Sequence, residues 1–381
     1  MFSLAVERAS RVILFVVAFV ALPPRAAQAQ SAGPSRADSM ALEKVTLADG
    51  IYLFRAPSTL DLWTSSNSVV VVNDSDVVVF DSNARPSTSR LVIAEIRKIT
   101  NKPVRVLINS HWHMDHWMGN AAYADAWPGL QIMATQETRD YMSRLPLQFF
   151  VNSAGAPQAK AALDTAIARG KLADGAPLTP ERRRQLELNL AEATALAGEL
   201  SSTRQVLPTV VFNDSMRFRR GNREFRLLSA TGDASGSTVL YLPGERILLT
   251  GDVLVRQETG VGAQPWTTNS YKITPWLASL RALEALDAGI IVPGQGRELR
   301  DKAYLRLTIA MYDAIIRQVH AALERGAVRL DQVQAAVKLD DIREQFTRGD
   351  ATQNARFDQM VLSLIRKVAQ EARDGIVLQG V

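Results

Sequence analysis

Residues 109–120 read NSHWHMDHWMGN, which places three of the chain's four histidines within six positions, with an aspartate among them. The run follows KPVRVLINS, a β-rich stretch, so the cluster is predicted where a strand ends in a loop. Residues two apart in an extended chain point the same way. His111 and His113 can therefore converge on one cation, while Asp115 and His116, where the chain bends toward a helix, can face a second. Imidazole and carboxylate without thiolate suit zinc, iron or manganese. Closed structural zinc sites generally use cysteine, and this chain has none. The expectation is a catalytic site with a position left for water.

The absence of cysteine also excludes a disulfide framework, a thiolate nucleophile and a lipid-modified N-terminal cysteine. Arg8 and Arg11 precede an apolar run, Val12 to Leu22, and Ala27-Gln28-Ala29 offers small residues for cleavage. This is the pattern of a secretory signal peptide over residues 1–29, cut after Ala29. The apolar run is too short to span a bilayer core of ~30 Å, so no stable membrane anchor is expected. Residues 30–43 read as a flexible leader, and the mature protein as periplasmic or secreted. The net charge of +5 falls to about +3 when three arginines and Glu7 leave with the signal. That mild, scattered excess excludes nucleic acid as a partner.

Short β-rich runs fill Val45 to Asp81: GIYLFRA, NSVVVVND and DVVVFDS. STSRLVIAEIRKIT then has Leu91, Ile93, Ile96 and Ile99 at helical spacing. After the cluster come a helix start, GNAAYADAW, and a buried strand, LQIMAT. This alternation predicts an α/β layered domain. Residues 136–207 contain no convincing strand and read as a helical insertion, either a lid or a packing layer, with a helix opening at Thr179-Pro180. PTVVFND resumes the strands, and MRFRRGNREFRLLSA is a hairpin turning at Gly221-Asn222. Its arginines alternate with Met216, Phe218 and Phe225, on a solvated face. Residues 301–381 are helical, with a stripe of Leu305, Ile309, Tyr312, Ile316, Val319 and Leu323 closed by Gly326. His320 lies beside that stripe and reads as packing or surface. No G-x-S-x-G elbow is present, and Gly260-Val261-Gly262 and Gly294-Gln295-Gly296 both lack the third glycine of a nucleotide fingerprint.

HWHMDH after a strand resembles the H-x-H-x-D-H signature of the metallo-β-lactamase superfamily. The resemblance runs roughly from Val45 to Arg300, and it implies a four-layer αββα sandwich over 44–300. Asp81 in VVVFDS is similar to the family's buried aspartate that supports the metal loop. GDASGS, residues 232–237, matches the place of its G-H-T-x-G-S stretch. LLTGD ends in Asp252, which the resemblance makes a bridging carboxylate, and VPGQG matches P-G-H-G. Two positions depart. Asp233 stands where the family places a histidine of the first metal, and Gln295 where it places the last histidine of the second.

The resemblance thus implies His111, His113 and Asp233 for one ion, and Asp115, His116 and Asp252 for another, with Gln295 a weak ligand. One ion is expected to be held well and the second weakly or not at all. Zinc leads, with iron or manganese open to a carboxylate-rich set. The expected chemistry is attack by a metal-bound hydroxide on an ester, lactone, thioester or related acyl or phosphoester substrate, with Asp115 orienting the hydroxide. Trp112, Met114 and Trp117 either form an apolar substrate wall or pack behind the ligands. β-Lactam hydrolysis is the second reading. A protein of the same fold that has lost catalysis and binds a small molecule is the third.

Overall fold

The computed structural model describes residues 42–55, 66–173, 175–256, 272–327 and 329–379. The signal peptide, the leader up to residue 41 and Gly260-Val261-Gly262 lie outside the described residues. One sheet holds β1 (Glu43–Ala48), β2 (Ile51–Arg55), β3 (Ser68–Val72), β4 (Val77–Phe80), β5 (Val104–Ile108), β6 (Gln131–Thr135) and β7 (Val210–Phe212), side by side in chain order. Its first four strands are antiparallel, and β4 to β7 run parallel. The second sheet comprises β8 (Ser215–Arg220), β9 (Arg223–Ala230), β10 (Ser237–Leu242), β11 (Ile247–Gly251) and β12 (Ile290–Pro293). Only its β11–β12 pair is parallel.

The helices are α1 (Pro86–Ile99), α2 (Met114–Trp117), α3 (Asn120–Ala126), α4 (Gln136–Arg144), α5 (Leu147–Ser153), α6 (Ala156–Arg169), α7 (Pro180–Ser201), α8 (Ile273–Ala285), α9 (Ala303–Glu324), α10 (Leu330–Ala336), α11 (Asp340–Thr347) and α12 (Ala351–Gln379). Residues 152–197, comprising α6 and most of α7, form a compact unit of their own. The expected N-terminal proline places the start of α7 at Pro180.

Three apolar cores explain why the valine runs are continuous rather than alternating. Val69 and Val71 of β3 enter the core between the sheets with Phe80, Ile108, Leu227, Leu240 and Leu249. Val70, between them in sequence, points the other way into a core with Val92, Ile93 and Ile96 of α1 and Tyr123 of α3. A strand covered on both faces needs apolar residues at every position. The third core lies on the outer face of the second sheet, where Val239, Tyr241, Leu248 and Ile291 meet Trp276 and Leu280 of α8, Tyr312 and Ile315 of α9, and Leu364 of α12. The layers are therefore helix, sheet, sheet, helix. Packing continues across residue 300, so the helical C-terminus completes the fourth layer rather than standing beyond it. Within α1 the inward residue is Val92, while Leu91 is exposed. Of the stripe over α9, Leu305, Tyr312 and Val319 are buried. Ile309, Ile316 and Leu323 are half-buried at its edge, because the inward side runs through Thr308, Ile315 and Ala322. Gly326 at φ +89 turns the chain there.

Candidate metal centre

The ends of five strands supply the polar groups. β4 leads into Asp81, β5 leads through Ser110 into His111, β9 leads to Asp233, β11 leads into Asp252, and β12 leads into the turn carrying Gln295. Asp81 adopts φ +60, which directs its carboxylate into the layer beneath the histidines. Its Oδ1 accepts the Ser110 backbone N–H at 2.7 Å, and its Oδ2 accepts from His116 Nδ1 at 2.7 Å. With Nδ1 committed, the other ring nitrogen of His116 presents a lone pair. Ser110 Oγ lies 3.0 Å from His111 Nδ1, so the tautomer that donates to it likewise leaves His111 Nε2 as a lone pair.

Those lone pairs face oxygens. His116 Nε2 is 3.0 Å from Asp115 Oδ2 and 3.4 Å from Asp252 Oδ2. His111 Nε2 is 2.9 Å from His113 Nδ1, 3.6 Å from Asp233 Oδ1 and 4.0 Å from Asp252 Oδ2. His113 Nδ1 is 3.0 Å from Asp233 Oδ2. Two donor sets result, His111, His113, Asp233 and Asp252 in one and Asp115, His116 and Asp252 in the other, with the ligand atoms of each within 4.8 Å of one another. Asp252 belongs to both. Both oxygens of Asp233, Oδ1 of Asp252 and Nε2 of His116 are buried without a hydrogen-bond partner. Buried acceptors aimed at a common point are costly unless a cation meets them. The residues fit a pair of divalent cations.

Protonation follows the same crowding. Burial drives His111 well below the ordinary histidine value, and His116 and His113 push the same way. Burial also opposes charge on His116, but Asp115, Asp252 and Asp81 outweigh it and hold the ring well above the ordinary value. Burial disfavours charge on His113 too, and Asp233, Asp115 and Asp252 together raise it. Asp252 is pushed up to about 7 by burial, against the pull of His116 and with further help from Asp233 and Asp115.

Close packing of the loops depends on glycine at two points. A side chain at Gly251 (φ +50) would strike Ser110, and one at Gly294 would overlap Asp252 Oδ1 and the Gly251 backbone. The Asp233 loop is held from α4, whose cap Thr135 and first-turn Thr138 both donate hydroxyls to the Gly236 carbonyl.

The structure brings together every residue expected in the site except Trp117. That side chain is fully buried, donates Nε1–H to the Trp112 carbonyl at 2.7 Å and packs on Phe150. It supports the loop from behind, because the short α2 turns it into the interior. Met114 is buried as well. Trp112, buried at 7% exposure, lies edge-on to His113 and stacks on Tyr141 with ring centroids 5.4 Å apart. Gln295 enters the site with its amide nitrogen: Nε2 donates to Asp115 Oδ2 at 3.0 Å and lies 3.5 Å from Asp252 Oδ2. It lies against both carboxylates and orders them. His320 is exposed on α9, outside the centre.

Sequence reading passed over Ser66, Asn67 and Ser68. Ser66 Oγ donates to the Asp115 carbonyl at 2.6 Å, and Ser68 Oγ donates to the Asp81 carbonyl at 2.8 Å. The signal available was a small polar triplet directly before four valines, although such triplets also mark ordinary strand starts.

A family model described as the metallo-beta-lactamase superfamily matches residues 61–295. A linear primary-alkylsulfatase from Pseudomonas sp. (strain ATCC 19151) is 26% identical over 244 residues, 64% of this chain and 44% of its own. The chain thus spans less than half the length of that curated relative. Among solved structures, a metallo-beta-lactamase from Pontibacter korlensis matches with a TM-score of 0.50 at 16% identity, over 72% of this chain and 99% of that one. The stereoselective inverting sec-alkylsulfatase Pisa1 from Pseudomonas sp. matches with a TM-score of 0.59 at 14% identity, over 85% of this chain and 50% of that one. At such identities the solved structures establish a shared fold.

Proposed function

Because this chain belongs to the metallo-beta-lactamase superfamily, we propose that it is a divalent-cation-dependent hydrolase acting outside the cytoplasm on small-molecule esters, alkyl sulfates foremost. The observation that carries the hydrolase reading is the pair of buried donor sets sharing Asp252. The sulfate class draws on the primary-alkylsulfatase relative and narrows the wider range of acyl and phosphoester substrates. Export draws on the N-terminal charge and apolar pattern. Among the described residues no helix is long and apolar enough to cross a membrane.

His111, His113 and Asp233 would hold one ion, Asp115 and His116 the other, and Asp252 both. Zinc suits these donors best, with iron or manganese admitted by the carboxylates. A bound divalent ion supplies Lewis acidity and brings the pKa of water toward ~7. The protein's own groups do the rest. Gln295 ties down one oxygen of Asp115, which leaves the other to take a proton from the attacking water. His113 is the most open of the ligands, its side chain 12% exposed against 0% for His111 and His116. Substrate therefore approaches from the His113 side, past the stacked Trp112 and Tyr141. Burial of the remaining ligands keeps bulk water off the carboxylates, where it would weaken their hold on a cation.

The test is a substrate panel on purified protein supplied in turn with zinc, manganese and iron: primary and secondary alkyl sulfates, lactones, thioesters, phosphodiesters and a cephalosporin. Sulfate release that disappears in Asp233→Ala is the expected result. Turnover of the cephalosporin or a lactone alone would overturn the sulfate assignment while keeping the hydrolase. No turnover with any metal would leave a ligand-binding protein of this fold as the answer.

A further inference from the structure

Three consecutive residues at the start of β3 reach three different loops of the centre. Ser66 holds the carbonyl of Asp115, and Ser68 holds the carbonyl of Asp81 while accepting from Asn83 Nδ2 at 2.7 Å. Asn67 does more. Its backbone N–H donates to the Gly294 carbonyl at 2.7 Å, and its Nδ2 donates to the carbonyls of Pro293 and Gly296, each at 2.8 Å. One side chain therefore clamps both ends of the turn whose middle residue is Gln295. The turn is also tied to the Asp252 loop, since Gly294 N–H donates to the Gly251 and Leu254 carbonyls. Asn67 is buried, 4% exposed.

The direction of these bonds matters. Asp115, His116 and Asp252 make up one donor set, and Gln295 donates to Asp115 and sits beside Asp252. Asp81 fixes His116. The triplet thus touches the supports of this second set from three sides. The Asp233 loop of the first set is held separately, by Thr135 and Thr138. A buried amide that spans a turn with two donors holds it in a single geometry, and outer supports of this kind decide how well ligands are presented.

We propose that Asn67 is a positioning residue for the second cation: by clamping the Pro293–Gly296 turn it sets where Gln295 holds Asp115, which belongs to that donor set alone. This rests on the two-cation reading of the centre. It adds a selectivity that reading does not contain. Asp115, a ligand of the second site alone, is positioned from a part of the chain separate from the Thr135 and Thr138 support of Asp233. The second site can therefore be weakened more than the first.

The test is titration of chelator-stripped protein with cobalt(II), followed by visible absorption and by equilibrium dialysis, for the parent, Asn67→Asp and Asn67→Ala. Asn67→Asp keeps the shape and the backbone bond but sets an acceptor against two carbonyls. The expected result is two cobalt equivalents in the parent. In both variants the weaker one loses affinity roughly 10- to 100-fold, and the tighter one, which shares Asp252, falls by much less. Gln295→Ala, which removes the group being positioned, should reproduce that selective loss. Parent-like binding of both equivalents in Asn67→Asp would overturn the proposal and leave the two-cation reading intact. Equal weakening of both, with a lowered melting temperature of the stripped protein, would also overturn it, because that is general destabilisation. Should Asn67→Ala fail to fold, the Asn67→Asp titration decides between these outcomes. No cobalt binding by the parent would instead bring down the two-cation reading itself.

Discussion

At His116, Nδ1 is taken by Asp81 and Nε2 is left between oxygens of Asp115 and Asp252. Either a proton or a cation must occupy that second nitrogen, and the two compete. The consequence can be read as pH dependence in chelator-stripped protein. His116 and His113 are raised in the folded state above the ordinary value of 6.5. Their contribution to stability is fully present below 6.5 and is lost as pH rises through the folded values. His111 is lowered, so its contribution changes only below 6.5 and has the opposite sign. The melting temperature of stripped protein should therefore fall as pH rises above 6.5, while cation-loaded protein stays flatter. Parallel slopes for the two forms in thermal melts would show that these histidines do not carry the effect.

At the scale of elements, strand ends and turns decide the site. Gly294 passes directly over Asp252, so Gly294→Ala must push β12 and its turn away from β11. The expected cost is about 1–3 kcal/mol of stability, with loss of cation binding, measured by denaturant unfolding and metal analysis. Parent-like stability and stoichiometry would mean the turn has room that the structure does not show. His111, His113, Asp115 and His116 were legible because they lie in one short run, and Asp233 and Asp252 only through the likeness of GDASGS and LLTGD to the superfamily's motifs. The valine strands were legible too, since coverage on both faces leaves a continuous apolar record. Other features had no such record. An amide side chain can offer oxygen or nitrogen, so the letter at 295 did not tell a ligand from a donor. The four-residue α2 turns Trp117 inward, which spacing alone could not resolve. Ser66 to Ser68 act on backbone carbonyls of loops far away in sequence, and carbonyls carry no residue identity.

The whole molecule depends on its C-terminal helices more than a boundary at residue 300 implied. α9 and α12 bring Leu305, Tyr312, Ile315, Val319 and Leu364 against the outer face of the second sheet. Ending the chain at Arg300 would uncover that face beneath α8, and an uncovered apolar sheet face drives association. Such a truncation should be insoluble or lack a cooperative melt, as checked by solubility and near-ultraviolet circular dichroism. A soluble, cooperatively melting fragment would show that α8 alone suffices as the outer layer. Asp252 carries a final consequence for the molecule as a whole. A carboxylate common to two ions makes their bindings thermodynamically linked. Whatever factor the first ion imposes on the affinity of the second, the second must return to the first. Titrations of this centre therefore call for a coupling constant alongside the two site constants, and the order in which a chelator strips the ions will depend on it.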